Sequence, residues 1–301
     1  MQATLLPPRN TVLCAPITSG RDLASCLIAN VPLADLITAE LTCAGFQMVE
    51  NSEACERTIR IPIERWLELG ALLMLGRNTR SARLRNSEGD ILAWKGAENP
   101  EACEEEIHTD ADCFPVVYPW DLLRMNEEVV ALMDESSLVG DVSPMATISG
   151  HVRLGAGSRI LAGTVIEGPV VIGRDCVIGP NVYIRGATSI GANCRIGHGT
   201  GIINSLIYPN TEISSQCHIE DSIIGSGVFF GSGTRIDVSS HGKGNAVSTV
   251  RGQAVDTFRE KLGAFLGDGV RTGLNCVINS GVKIGLGRKI ATASLVAEDL
   301  L

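Results

Sequence analysis

From Val165 to Ile202 the chain reads VIEGPVVIGRDCVIGPNVYIRGATSIGANCRIGHGTGI, and this stretch decides the fold. Ile166, Ile172, Ile178, Ile184, Ile190, Ile196 and Ile202 fall at strict steps of six. That period fits neither the turn of an α-helix nor the alternation of a simple strand. It fits a triangular coil of three hexads, about 18 residues per coil, of the kind seen in parallel β-helices. The aliphatic residue points into the prism, and a Gly or small polar residue turns the corner, where unusual backbone angles favour Gly. Ile148, Ile166, Ile184 and Ile202 are then expected in one column. Stacking supplies the core that a single repeat cannot bury alone.

Upstream, the step runs back through Ile160, Leu154 and Ile148 to Val142. Downstream it stutters: Ile202, Ile207, Ile213, Ile219, Ile224, Phe230 and Ile236 include two steps of five. Residues 237–264 break the pattern, and it resumes with Leu266, Thr272, Ile278, Ile284, Ile290 and Val296. The break reads as a loop thrown out of the coil. Such long loops are usually functional or disordered. This one carries His241, Lys243, Asn245, Arg251, Arg259 and Lys261; the blander reading is a solvated excursion.

Of the 33 Gly, six precede residue 138 and 27 follow it, whereas Trp66, Trp94 and Trp120 all lie in the first part. Two architectures therefore meet. The expected organisation is a small α/β domain over 1–135, then a mainly β domain over 136–301 with its excursion at 237–264. A net charge of −9 gives no overall basic surface for nucleic acid. No apolar run is long enough to span a bilayer, and the first residues lack a basic-then-apolar export pattern, so a cytoplasmic location is expected. The ten Cys form no C-x-x-C pair and read as buried, reduced thiols.

The segment DSIIGSGVFFGSGT (Asp221–Thr234) resembles a coil of the hexapeptide acetyltransferases. VRGQAVDTFREKLGA (Val250–Ala264), LGDGVRTG (Leu266–Gly273) and GVKIG (Gly281–Gly285) follow in order. Together they resemble the archaeal-type bifunctional sugar-1-phosphate nucleotidyltransferase/amino-sugar-1-phosphate N-acetyltransferase family over roughly residues 140–296. NVPLADLI (Asn30–Ile37), AGF (Ala44–Phe46) and YPWDLL (Tyr118–Leu123) with Asn126 are similar to the nucleotidyltransferase domain of that family. The resemblance implies a left-handed β-helix, a homotrimer, and acetyl transfer from acetyl-CoA to an amino-sugar phosphate or nucleotide sugar. The site would lie in a cleft between neighbouring β-helices.

Nucleotidyl transfer is not expected. It needs a Gly-rich phosphate loop and magnesium-binding carboxylates. Only TSGRDL (Thr18–Leu23) stands at the loop, Asn30 or Val31 at the family's Lys, and Ile61-Pro62-Ile63 near its metal-binding Asp. The first domain is also short for this family, which suggests a relic serving assembly or packing.

Acetyl transfer needs a base for the ammonium, an N–H for the oxyanion and cations for phosphates. Carried over by resemblance, the family's base His position is Ser215, its Tyr position is His218, and its loop Asn falls near Val238. His241, Gly242 and Lys243 match the basic end of the family's loop with one residue deleted. Asp221, Gly231, Gly233, Thr234 and Lys261 match as they stand. The expected catalytic positions are therefore Ser215 and His218, with His218 as substitute base and His198, about one coil away, as a second possibility. The expected substrate contacts are Asp221, His241, Lys243, Asn245 and Lys261. Gly231, Ser232, Gly233, Gly273 and Asn275 are expected along the acetyl-CoA groove. No metal is expected: His151, His198, His218 and His241 lack the spacing of the zinc-binding β-helices. Loss of the usual base leaves an alternative, a non-catalytic trimeric paralogue with a structural or regulatory role.

Overall fold

A computed structural model describes residues 1–8, 12–51, 55–238 and 244–301. They form two compact units. One combines Met1–Thr11, Asp22–Cys26 and Val31–Val117; the other combines Val12–Arg21, Leu27–Asn30 and Tyr118–Leu301.

The second unit is a three-sided parallel β-helix, each face a sheet of eight strands. The first face runs from Ser137–Leu138 to Lys283–Ile284, the second from Asp141–Val142 to Lys289–Ile290, and the third from Thr147–Ser149 to Leu295–Val296. The expected column forms: Ile148 pairs with Ile166, Ile166 with Ile184, and Ile184 with Ile202. The last three are 0% exposed. Each such side chain contributes about 1.5–3 kcal/mol by leaving water.

Some corner glycines take the expected left-handed backbone, as at Gly179 (φ 108°) and Gly199 (φ 67°), but others do not. At the corner that follows Ile172 and Ile190, the left-handed backbone falls three residues later, on Asp175 (φ 58°) and Asn193 (φ 57°). Asn and Asp tolerate that region because their short side chains bond locally. Gly173 serves another purpose: a Cβ there would lie 2.7 Å from the amide nitrogen of Ala192 in the next coil. It is small because coils stack closely, not because the chain turns.

Both five-residue steps fall at the corner between the third and first faces. Asn204 (φ 43°) and Asp221 (φ 45°) make these tight turns, and buried serines close them. Ser205 Oγ donates to the Ile203 carbonyl at 2.7 Å and accepts from Ser222 N at 3.3 Å. Ser222 Oγ donates to the Glu220 carbonyl at 2.6 Å and accepts from Ala264 N at 3.1 Å.

The excursion leaves after Arg235–Ile236 and returns at Phe265–Leu266, which pairs with Ile223–Ile224. Its described part is largely exposed but holds regular structure. Val247–Val250 and Gln253–Asp256 form an antiparallel hairpin. Ser248 pins that hairpin to the coil, donating to the Gly281 carbonyl and accepting from the buried Lys283 ammonium, both at 2.7 Å.

Helix α3 (Pro119–Ala131) covers part of the first face. Asp121 caps its start, accepting from Tyr118 N at 2.8 Å. Asn126, 0% exposed, fastens the helix to the coils. It accepts from Ser189 Oγ at 2.7 Å and from Ala29 N at 3.0 Å, and donates to the Ala187 carbonyl at 2.8 Å.

The first unit is a small α/β fold. Its six-stranded mixed sheet follows the order Gln47–Met48, Gln2–Leu6, Thr58–Pro62, Ile91–Lys95, Ala82–Arg85, Glu105–His108. Helices α1 (Leu33–Cys43) and α2 (Leu69–Arg77) complete it. All ten Cys are free thiols. The expectation that all are buried fails in this unit, where Cys43 and Cys55 are exposed and Cys103 half-buried.

Candidate active site

On a β-helix the residue before each inward aliphatic points outward, since successive side chains alternate faces. On the third face this outward column runs Val165, Tyr183, Gly201, His218, Arg235, Val277, each paired with the next coil. From Tyr183 to Val277 it lines a cleft of about 870 Å³. The adjoining corner supplies Asn181, Gly199, Gln216, Gly233 and Asn275.

His218 stands at the middle of this cleft with its side chain 42% exposed. Its Nε2 lies 3.3 Å from Glu220 Oε2. The two residues are one pleat apart, so both side chains leave the strand on the same side. Glu220 Oε1 accepts from Lys261 Nζ at 2.7 Å, which brings the excursion into the arrangement. Burial acts to raise the Glu220 carboxyl; Lys261 first and His218 second outweigh it, so Glu220 sits below its ordinary value. The hydrogen bond to Glu220 raises the Lys261 ammonium in turn.

A second network supports the first. Asp221 Oδ1 accepts from Asn204 Nδ2 at 2.6 Å and from Arg259 Nη2 at 3.2 Å. Arg259 also donates from Nη1 to Glu127 Oε2 on α3 at 3.0 Å. Coil corner, excursion and helix are thereby tied together. Burial pushes the Asp221 carboxyl above its ordinary value despite Asn204 and Arg259.

Gly201 opens the cleft floor between Tyr183 and His218. A Cβ there would approach His218 Nδ1 to 3.1 Å. Tyr183 forms the far wall, its hydroxyl donating to Glu167 at 2.7 Å.

The sequence-predicted residues divide clearly. His218 and Lys261 meet through Glu220, which the sequence reading did not single out. Gly231, Ser232 and Gly233 share one corner with Gly273 and Asn275, one coil apart; Gly233 and Asn275 line the cleft. Ser215 lies on that same corner but outside the cleft lining. Asp221 is 5% exposed and committed to Arg259 and Asn204. Asn245 donates to Asp256 at 3.2 Å within the excursion. His198 is exposed at a corner, its Nδ1 3.5 Å from Asn181 Nδ2. His241 and Lys243 lie outside the described residues. Among the described residues, no three His, Cys, Asp or Glu gather as a metal site would need.

A family profile described as the GMPPB C-terminal domain matches residues 166–280. The bifunctional sugar-1-phosphate nucleotidylyltransferase/acetyltransferase of Sulfurisphaera tokodaii is 35% identical over 182 residues, covering 60% of this chain and 45% of that protein. The chain's homologues are bifunctional nucleotidylyltransferase/acetyltransferases of this kind. The bifunctional protein GlmU of Methanococcus vannielii agrees, at 35% identity over 191 residues, 60% of this chain and 44% of its own length. This chain thus spans less than half the length of these bifunctional relatives. The solved structure of PerB from Caulobacter crescentus, in complex with CoA and GDP-perosamine, overlays 98% of this chain and 93% of its own. Its identity is 15% and its TM-score 0.23, too loose an overlay to place any residue.

Proposed function

We propose that this chain is an acyl-CoA-dependent N-acetyltransferase acting on an amino-sugar phosphate or nucleotide sugar, with the third-face cleft as its centre. The observation that carries the reading is His218 lining that cleft with its Nε2 3.3 Å from the buried Glu220, which Lys261 keeps ionised. It is supported by the Sulfurisphaera tokodaii relative, whose name includes acetyltransferase.

In this reading Glu220 accepts the Nε2 proton of His218, which fixes the tautomer and turns the Nδ1 lone pair toward the floor at Gly201. The sugar ring occupies the opening between Tyr183 and His218, two coils or about 10 Å apart. His218 Nδ1 takes a proton from the sugar ammonium. The freed amine attacks the thioester carbonyl carbon; the C–N bond forms, the C–S bond breaks, and the leaving CoA thiolate takes up the second proton, which the attacking nitrogen sheds as the amide forms. The corner Gly233–Asn275 carries the pantetheine arm, and Lys261, held on Glu220, serves as a substrate contact.

Nucleotidyl transfer is outside the proposal. The segment that stands at the family's phosphate loop is engaged in packing: Arg21 pairs with Asp268 and lies 4.3 Å from the Tyr208 ring centroid. The assembly is proposed as a homotrimer. Leu274, Val277 and Leu295 are exposed apolar side chains near the cleft, and closed symmetric association is the common way to cover such a face.

The test is acetyl transfer from acetyl-CoA to glucosamine 1-phosphate, galactosamine 1-phosphate and amino-sugar nucleotides, followed by thiol release. His218→Ala is expected to lower kcat by about 10²–10⁴, and Ser215→Ala by less than about threefold. Absence of turnover with every acceptor, together with absence of CoA binding by calorimetry, supports instead a non-catalytic trimeric paralogue. The departure that favours this second reading is Ser215 standing where the family has its base.

A further inference from the structure

We infer that Arg235 is the phosphate-recognising residue of the third-face cleft and sets its preference for phosphorylated ligands. Arg235 occupies the outward column directly beside His218, the two residues being register partners on adjacent coils, about 4.8 Å apart along the stack. Its side chain is exposed and lines the cleft. Among the described residues its guanidinium has no hydrogen-bond or ion-pair partner. The nearby carboxylates are otherwise engaged: Glu220 with His218 and Lys261, Asp221 with Arg259 and Asn204. Asp237, two residues along the chain from Arg235, has a partner elsewhere.

The next side chain in the column is Val277, which offers no polar group. Arg235 is therefore an unpaired cation in a cleft whose lining includes no carboxylate. An anion entering the cleft meets its five donors without first displacing a protein carboxylate. A guanidinium matches phosphate bidentately and is more weakly hydrated than an ammonium. Both reactants of the proposed transfer carry phosphate. The sugar would present one beyond the reacting nitrogen, and the acyl carrier would present several beyond its pantetheine arm. The recognised chemistry is the same in either case. The inference rests on the acyl-transfer reading of this cleft but is tested without turnover.

The experiment is calorimetric binding of four probes to the full chain and to Arg235→Gln and Arg235→Lys. The probes are glucosamine 1-phosphate, glucosamine, CoA and pantetheine. Arg235→Gln is expected to weaken one phosphorylated probe about tenfold or more while leaving its phosphate-free counterpart unchanged, and Arg235→Lys to recover part of the loss. Loss confined to glucosamine 1-phosphate assigns the phosphate to the acceptor; loss confined to CoA assigns it to the carrier. Arg235→Gln binding both phosphorylated probes as tightly as the parent overturns the inference and leaves the acyl-transfer reading standing. Equal weakening of a probe and its phosphate-free counterpart overturns it in the same way, because the effect is then not on phosphate. A parent chain that binds none of the four probes overturns both. Because Arg235 is exposed, its variants should retain the parent's circular dichroism and melting curve.

Discussion

The coils before Ile202 and those after it are built from the same repeat but present very different outer surfaces. In the earlier coils every step is six residues, and the third face shows Val165, Tyr183 and Glu167 with a single hydroxyl–carboxylate bond between them. In the later coils two steps lose a residue, an excursion interrupts the stack, and ionic chemistry concentrates. His218, Glu220, Lys261, Asp221, Arg259 and Glu127 are joined there in two networks. The inner surface hardly registers the change, since Ile219, Ile224 and Phe230 remain 0% exposed. A regular repeat can thus hold its core in register while irregular corners redirect its outer side chains.

That comparison can be broken first at the core. If stacking alone holds both regions, Ile184→Ala in the regular coils and Ile236→Ala beside the excursion should each cost about 3 kcal/mol. Urea unfolding followed by far-ultraviolet circular dichroism measures both. A cost below about 1 kcal/mol at Ile236, with the full cost at Ile184, would mean that the ionic networks rather than the prism hold the later coils.

The next effect separates the dyad from its surroundings. Glu220→Gln is expected to lower kcat for acetyl transfer about tenfold and to change KM for acetyl-CoA little, because Glu220 orients His218 rather than contacting the acyl carrier. Steady-state kinetics read the split. A rise in KM with kcat intact would move Glu220 from positioning the base to binding substrate.

The neighbouring carboxylates Glu220 and Asp221 should titrate in opposite senses. Glu220 lies below its ordinary value and Asp221 above it. The signs for stability follow from linkage. The Glu220 contribution is fully present above the ordinary carboxylate value and is lost as pH falls through its lowered folded value. Ionised Asp221 opposes folding, so its protonation partly offsets that loss. Carboxyl carbon chemical shifts against pH, with Asp221→Asn as the assignment control, report each displacement from the ordinary value. A Glu220 midpoint at or above the ordinary glutamate value would show that Lys261 does not hold it.

Sequence alone carried the prism far and the site only partway. The six-residue step placed Ile148, Ile166, Ile184 and Ile202 in their column because one side chain per hexad must enter the core. It also located the excursion, though not its hairpin, whose four-residue strands lie inside a stretch that follows neither period. His218 and Lys261 were legible as family positions. Glu220 was not, because it stands where a single strand's alternation gives no hint of a partner contributed from the excursion, 41 residues onward. Gly173 was legible as a corner residue but for the wrong reason: close approach between coils leaves no trace in one coil's sequence. Arg235 was passed over for a related reason, since it becomes a neighbour of His218 only when coils stack.

The smallest expected effect is at Gly201, and it distinguishes a fold requirement from a site requirement. Unlike Gly199 (φ 67°) on the corner before it, Gly201 is not among the residues with a left-handed backbone, so Ala meets no conformational penalty. An added methyl would also stiffen the unfolded chain, worth up to about 1 kcal/mol of stability. Its one close neighbour is His218 Nδ1 at 3.1 Å, so the imidazole must give by a few tenths of an ångström. Gly201→Ala should therefore melt at or slightly above the parent temperature while kcat falls about two- to fivefold, because small misplacements of a catalytic group are costly. If the melting temperature drops instead, the glycine serves coil packing as Gly173 does. If neither quantity moves, His218 has room to retreat, and the floor beside it is not where the reacting nitrogen sits.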